Sequence, residues 1–83
     1  MKVYEDLFNG YKEIVEQVTA AGVVTTYHGQ AEKGTATSAP KWRIKKIVET
    51  TVTNTVTTVI TYAGGSGTSF SYAWDDRATL TYA

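Results

Sequence analysis

The chain has 83 residues, no cysteine, and eight basic against eight acidic side chains, for a formal net charge of zero. That length fits one domain, because independent cores usually need at least about 50 residues each, and the lack of thiols excludes a disulfide framework and a thiolate zinc site. Charge neutrality removes the global attraction to nucleic acid or anionic membrane that a strongly basic chain exerts.

Small size has a second consequence. A domain of this length buries only roughly 60% of the surface its unfolded chain exposes, so self-association or docking onto a larger particle is expected to support it. Its apolar runs fall far short of the roughly 20 residues that cross a bilayer, and no signal-peptide core follows Met1. We therefore expect a protein made in the cytoplasm, without cleaved targeting and without a membrane partner.

Taken in chain order, Val3, Tyr4, Leu7, Phe8, Tyr11, Ile14, Val15 and Val18 recur at helical spacing, with Glu5, Asp6, Lys12, Glu13 and Glu16 between them. Gly10 interrupts this pattern at a cost of about 1 kcal/mol relative to Ala, and Ile14, Val15 and Val18 suit a strand equally well. The pattern predicts a helix over Val3–Asn9. Beyond it the helix either continues to Val18 or breaks at Asn9-Gly10 and gives way to a strand from Tyr11 to Val18. Ala20-Ala21-Gly22 is correspondingly a helix stop or a hairpin turn.

Past Gly22 the composition turns to threonine and valine, which favours paired strands. Strands are expected at Val23–Gln30, Lys41–Thr51 and Thr55–Ala63, with a small-residue loop over Glu32–Pro40 and a turn at Thr53-Asn54. Lys41, Arg43 and Lys45 alternate with Trp42 and Ile44, so charges and apolar groups take opposite faces. On the following strand Val56, Ile60 and Tyr62 share one face and Thr57, Val59 and Thr61 the other. Gly64-Gly65-Ser66-Gly67 connects to two short final strands, Phe70–Trp74 and Arg77–Tyr82, joined across Asp75-Asp76.

The expected fold is mainly β, a small antiparallel sandwich or barrel of about five or six strands. Residues 1–22 form an N-terminal helix or arm, and residues 23–83 the β domain. The shared core is expected to contain Trp42, Ile44, Ile47, Val56, Ile60, Tyr62, Phe70, Tyr72, Trp74 and Leu80.

Five candidate sites compete with plain packing. Lys41, Arg43, Lys45 and Lys46 beside Trp42 carry the residue types of a single-stranded nucleic-acid binder. Alternation turns the ring away from the charges, and no further basic surface accompanies them, which argues against nucleic-acid contact. Asp75 and Asp76 have no nucleophile or histidine beside them for acid-base work. They read as a turn that Arg77 fixes by pairing with a carboxylate or stacking on Trp74. His28 has no second ligand at metal spacing, and Gly64, Gly65 and Gly67 lack the lysine and helix of a phosphate loop. Tyr27, Tyr62, Tyr72 and Tyr82 fit strand packing with hydroxyls at the rim. No catalytic, metal or cofactor residue is assigned, and no cofactor is expected.

The segments Tyr27–Ala31, Thr35–Ala39, Trp42–Ile44, Ala63–Gly65 and Trp74–Tyr82 together resemble a family of short proteins encoded by tailed bacteriophages and related viral sequences. That family combines a Tyr-x-Gly-x-Ala segment, a small-residue loop, a Trp-x-Ile strand and a C-terminal Trp-Asp-x-Arg block ending in Leu-x-Tyr. The specific part here is Trp74, Asp75, Asp76, Arg77, Leu80 and Tyr82, together with Trp42 and Ile44; the segment up to Val18 is not covered. The resemblance implies a phage origin and a place in the virion, as a capsid decoration or a neck or tail accessory, with other virion proteins as partners. It brings no activity and no catalytic residue. We thus expect a non-enzymatic virion component, homo-oligomeric or multicopy on the particle; the alternatives are a glycan or host-surface binding module using Trp42 or Trp74 and the tyrosines and, behind it, a nucleic-acid contact protein using Lys41, Arg43, Lys45 and Lys46.

Overall fold

The structure is a computed structural model that describes residues 2–6, 10–65 and 67–83. Five strands, β1 (Lys2–Asp6), β2 (Tyr11–Ala20), β3 (Val23–Glu32), β4 (Arg43–Val52) and β5 (Thr55–Tyr62), form one antiparallel sheet in sequence order. Each strand pairs with the one before it, which is the cheapest topology for a chain of consecutive hairpins.

The N-terminal helix is the first expectation corrected. Lys2–Asp6 is a strand paired with Tyr11–Val15, so Val3 lies opposite Ile14, and Tyr11–Ala20 is a strand throughout; Leu7, Phe8 and Asn9 lie outside the described residues. Gly10 has φ 73°, a left-handed conformation that ends any helix reaching it. β2 then pairs along its whole length with β3, from Tyr11 opposite Glu32 to Ala20 opposite Val23. The β-branched residues Ile14, Val15 and Val18 fit that ladder, and this long-range pairing outweighs the helical spacing. The strand alternative from Tyr11 to Val18 is the one realised, and Ala21-Gly22 is a two-residue hairpin turn with φ 49° and 80°.

Closure is the second correction. β1 and β5 lie at opposite edges of the sheet, which is neither a barrel nor a two-sheet sandwich. The final segment also departs from expectation, because Phe70–Trp74 and Arg77–Tyr82 are not strands. Instead Tyr72 bridges to Trp42, Tyr82 bridges to Ala63, and Trp74–Asp76 makes a single 3₁₀ turn. Local backbone bonds close that turn, from the Asp76 N–H to the Ala73 carbonyl and from the Arg77 N–H to the Trp74 carbonyl.

This segment lies across one end of one sheet face and creates the core there. Ile14, Ala31, Trp42, Ile44, Ala63 and Trp74 are buried, with Tyr27, Tyr72, Leu80 and Tyr82 packed around them. Gly29, opposite both Ile14 and Ile44, is needed beneath the indoles. A β-carbon on it would come within 2.7 Å of the Trp74 ring and 3.2 Å of Trp42. Five of the expected core residues are not in this core, Tyr62 among them, which lies half-buried on the opposite face. Val56 is 59% exposed, Ile60 53% and Phe70 38%, and Ile47 is half-buried outside the cluster.

Candidate functional site

Alternation along the strands sorts every residue onto one of two faces. The capped face carries rows that run across the sheet in register: Ile14–Gly29–Ile44–Ala63, then Glu16–Tyr27–Lys46–Thr61, then Val18–Thr25–Val48–Val59. The first row lies under the two indoles. On the second row the C-terminal segment makes its last contacts, and the third is bare.

Arg77 is the hinge of this arrangement. Its Nε and Nη2 donate to Glu16 Oε1 and Oε2 at 2.9 and 2.8 Å, its Nη1 donates to the Trp74 carbonyl, and its guanidinium stands 4.8 Å from the centre of the Trp74 ring. The Tyr82 hydroxyl donates to the Arg77 carbonyl at 2.8 Å, and its ring meets Tyr27 and Lys46. The fork to Arg77 holds the Glu16 carboxyl below its ordinary 4.5, against burial, which pushes it up. Burial, helped by Tyr27, pushes the Tyr82 phenol up to about 12. Asp75 and Asp76 are exposed; the Asp75 N–H donates to the Thr37 carbonyl and ties the turn to the small-residue loop. The residues singled out at the C-terminus therefore act as a clamp, with Arg77 paired to Glu16 on β2 and not to its neighbouring aspartates.

Trp42 and Trp74 are 0% and 1% exposed, and the Trp42 indole N–H donates to the Ala36 carbonyl at 2.9 Å. Neither ring is a platform for a ligand. The basic strip is also dispersed: Arg43 and Lys45 lie on the open face, Lys46 sits over Tyr82 on the capped face, and Lys41 stands in the loop before β4.

The open face holds a polar cluster that linear reasoning missed. His28 Nε2 is 3.2 Å from Glu13 Oε2, Gln30 Nε2 donates to Glu13 Oε1, and Arg43 bonds Gln30 and the Gly67 carbonyl. Lys45 and Tyr62 complete its rim. The signal was the Ala21-Gly22 hairpin, whose register sets Glu13 opposite Gln30 and Val15 opposite His28. Among the described residues no group of three or more His, Cys, Asp or Glu side chains converges as a metal site would require. Beside the cluster, Tyr11, Glu32, Thr35, Lys41 and Phe70 line an open recess of about 390 Å³.

The largest unexplained surface is the far half of the sheet, residues 17–26 and 47–60, which we call the blade. Glu49 is its one charged residue. Val18, Val52, Val56, Val59 and Ile60 are all at least half exposed there, on both faces. Domains ordinarily bury each apolar sheet face beneath a second layer, and over the blade none of the described residues supplies one. Comparison with protein-family models, with curated proteins and with solved structures finds no match to this chain.

Proposed function

We propose that this protein is a non-enzymatic structural component of a tailed-bacteriophage virion, held in several copies on the capsid, neck or tail through its blade. One observation carries the reading: a sheet whose capped end has a complete core, and whose other half presents valine and threonine with a single charge to solvent. Exposed apolar patches of this kind mark interaction surfaces. The phage-like C-terminal block supports the particle as the place, and its Trp74, Arg77 and Tyr82 support a scaffold, since they clamp the fold.

Mass spectrometry of purified virions, with and without the gene, tests the proposal. The protein is expected in wild-type particles at a stoichiometric copy number; intact, infectious particles that lack it overturn the reading. A second reading, a glycan or host-surface module, draws on the recess where Tyr11 and Phe70 are each 38% exposed between Glu32 and Lys41. Aromatic faces beside a carboxylate and an ammonium suit a sugar. Saccharide binding that Tyr11→Ala abolishes would favour it.

A further inference from the structure

The two edges of the sheet are unlike. β1 is five residues long and its sequence, KVYED, is charged. β5 is eight residues long, pairs with β4 without a bulge, and contains neither charge nor proline. Natural proteins protect sheet edges with charges, prolines, bulges or covering segments, because an edge is a row of unpaired N–H and C=O groups. Among the described residues β5 has none of these over residues 55–60, all of which are exposed.

Backbone direction on β5 follows from its ends. The Tyr62 N–H donates to the Ala83 carbonyl and its carbonyl accepts from the Ala83 N–H, whereas the Ala63 N–H donates to Ile44 on β4. Antiparallel strands alternate in this respect, so Val56, Thr58 and Ile60 direct their backbone groups outward, as Tyr62 does. The lane beside β5 is filled by residues 81–83 from Tyr62 onward and ends at the Thr53-Asn54 turn on the other side. Among the described residues no segment pairs with the outer side of residues 55–61, Thr-Val-Thr-Thr-Val-Ile-Thr, with Thr58 at its centre.

We infer that two copies of this chain pair through β5, antiparallel about a two-fold axis at Thr58. This register sets Thr55 against Thr61, Val56 against Ile60, Thr57 against Val59 and Thr58 against itself. The segment is nearly palindromic, so like meets like at every pair but Thr57–Val59. Every outward-pointing residue meets an outward-pointing partner, which gives about six backbone hydrogen bonds. An isologous interface demands such self-complementarity. With no charge in the segment, nothing opposes the approach of an identical strand. The result is a ten-stranded sheet with its two caps at opposite ends and both blade faces free for the particle. The inference rests on the blade being a docking surface, and it names one partner of that surface.

The test uses the full chain. Sedimentation or light scattering should give twice the 9.1 kDa chain mass for the wild type. Thr58→Pro removes an outward N–H, which an edge strand tolerates; it should keep the wild-type circular dichroism and return the protein to single-chain mass. The chain has no native cysteine. Thr58→Cys should therefore oxidise to a covalent dimer, because paired residues lie about 5.5 Å apart, while Thr19→Cys on the exposed far end of β2 should not. A wild type that stays monomeric into the millimolar range overturns the pairing, as does an oligomer that Thr58→Pro leaves intact. A wild type that is monomeric alone but binds a different virion protein through β5 also overturns it. A confirmed dimer that is missing from virions would remove the particle reading alone, and a monomer found on virions would remove the pairing alone.

Discussion

The two ends of this one sheet differ most in covering. At the capped end, isoleucine, glycine and alanine lie beneath two indoles whose rings meet at 6.2 Å, and the chain buries its core there. At the blade the same kinds of strand residues face water on both sides. The difference teaches that alternation makes a sheet, whereas a core needs a second layer, and here the C-terminal segment reaches only two rows of the sheet.

Removing the cover should have the largest effect. Trp74→Ala or Trp42→Ala is expected to cost about 3–5 kcal/mol, the range for a buried aromatic, which is enough to unfold a domain of this size. Gly29→Ala should be comparably damaging for the opposite reason, since its added methyl would occupy the Trp74 ring position. Urea denaturation measures all three. Native-like midpoints would mean that the indoles do not hold the cap.

The clamp is the next level. Glu16→Gln breaks a two-point charged contact between partners that are only 26% and 19% exposed, and should cost about 1–2 kcal/mol. Because the folded-state pKa of Glu16 is depressed, its contribution is complete above the ordinary 4.5 and fades as pH falls through the lower folded value. Acid titration of stability should therefore be flatter in Glu16→Gln. Tyr82 works at the other extreme. Its folded pKa of about 12 exceeds the ordinary 10, so its share is complete below pH 10 and is lost as pH rises from 10 to 12. Tyr82→Phe should be less sensitive to alkali, although it gives up the bond to the Arg77 carbonyl.

The turns offer a gain where the sheet itself is unchanged. Thr53 has φ 57°, a left-handed conformation in which a β-branched side chain is strained. Thr53→Asn should raise stability by about 1 kcal/mol. A neutral or negative change in melting temperature would show that the threonine is not strained there.

Much of this organisation is legible in the sequence. The alternation of Lys41, Arg43 and Lys45 with Trp42 and Ile44 matches the structure, where Trp42 and Ile44 are buried and Arg43 and Lys45 lie on the open face. The turn at Thr53-Asn54 is legible from its residue types, whereas Ala20-Ala21-Gly22 reads equally as a helix stop or a hairpin turn until its strands are known. The N-terminal strands are not, because Val3 to Val18 satisfies a helical period as well as a strand period, and only pairing with distant residues separates the two. Val56 and Ile60 mislead for a different reason. They share a face with Tyr62, as alternation requires, but a local pattern carries no information about whether anything covers that face. The Glu13–His28 contact and the Arg77–Glu16 fork span 15 and 61 residues, and depend on strand register and on where the last segment lands.

The smallest effect gives the sharpest form of the comparison. Ile14 and Val18 lie on the same strand and the same face, four residues apart; Ile14 is 3% exposed and Val18 50%. Ile14→Ala should cost about 2–5 kcal/mol, as buried aliphatic truncations do. Val18→Ala removes atoms that are already half in water and leaves no cavity, so its cost should stay near 0.5 kcal/mol. That contrast belongs to the isolated chain. Where the protein docks, Val18 acquires a second layer and its truncation becomes a truncation of buried surface. The same substitution, neutral in dilute solution, should then weaken retention on the particle, measured as loss of the protein from virions on dilution. Equal costs for Ile14→Ala and Val18→Ala in the isolated chain would mean that the blade is already covered.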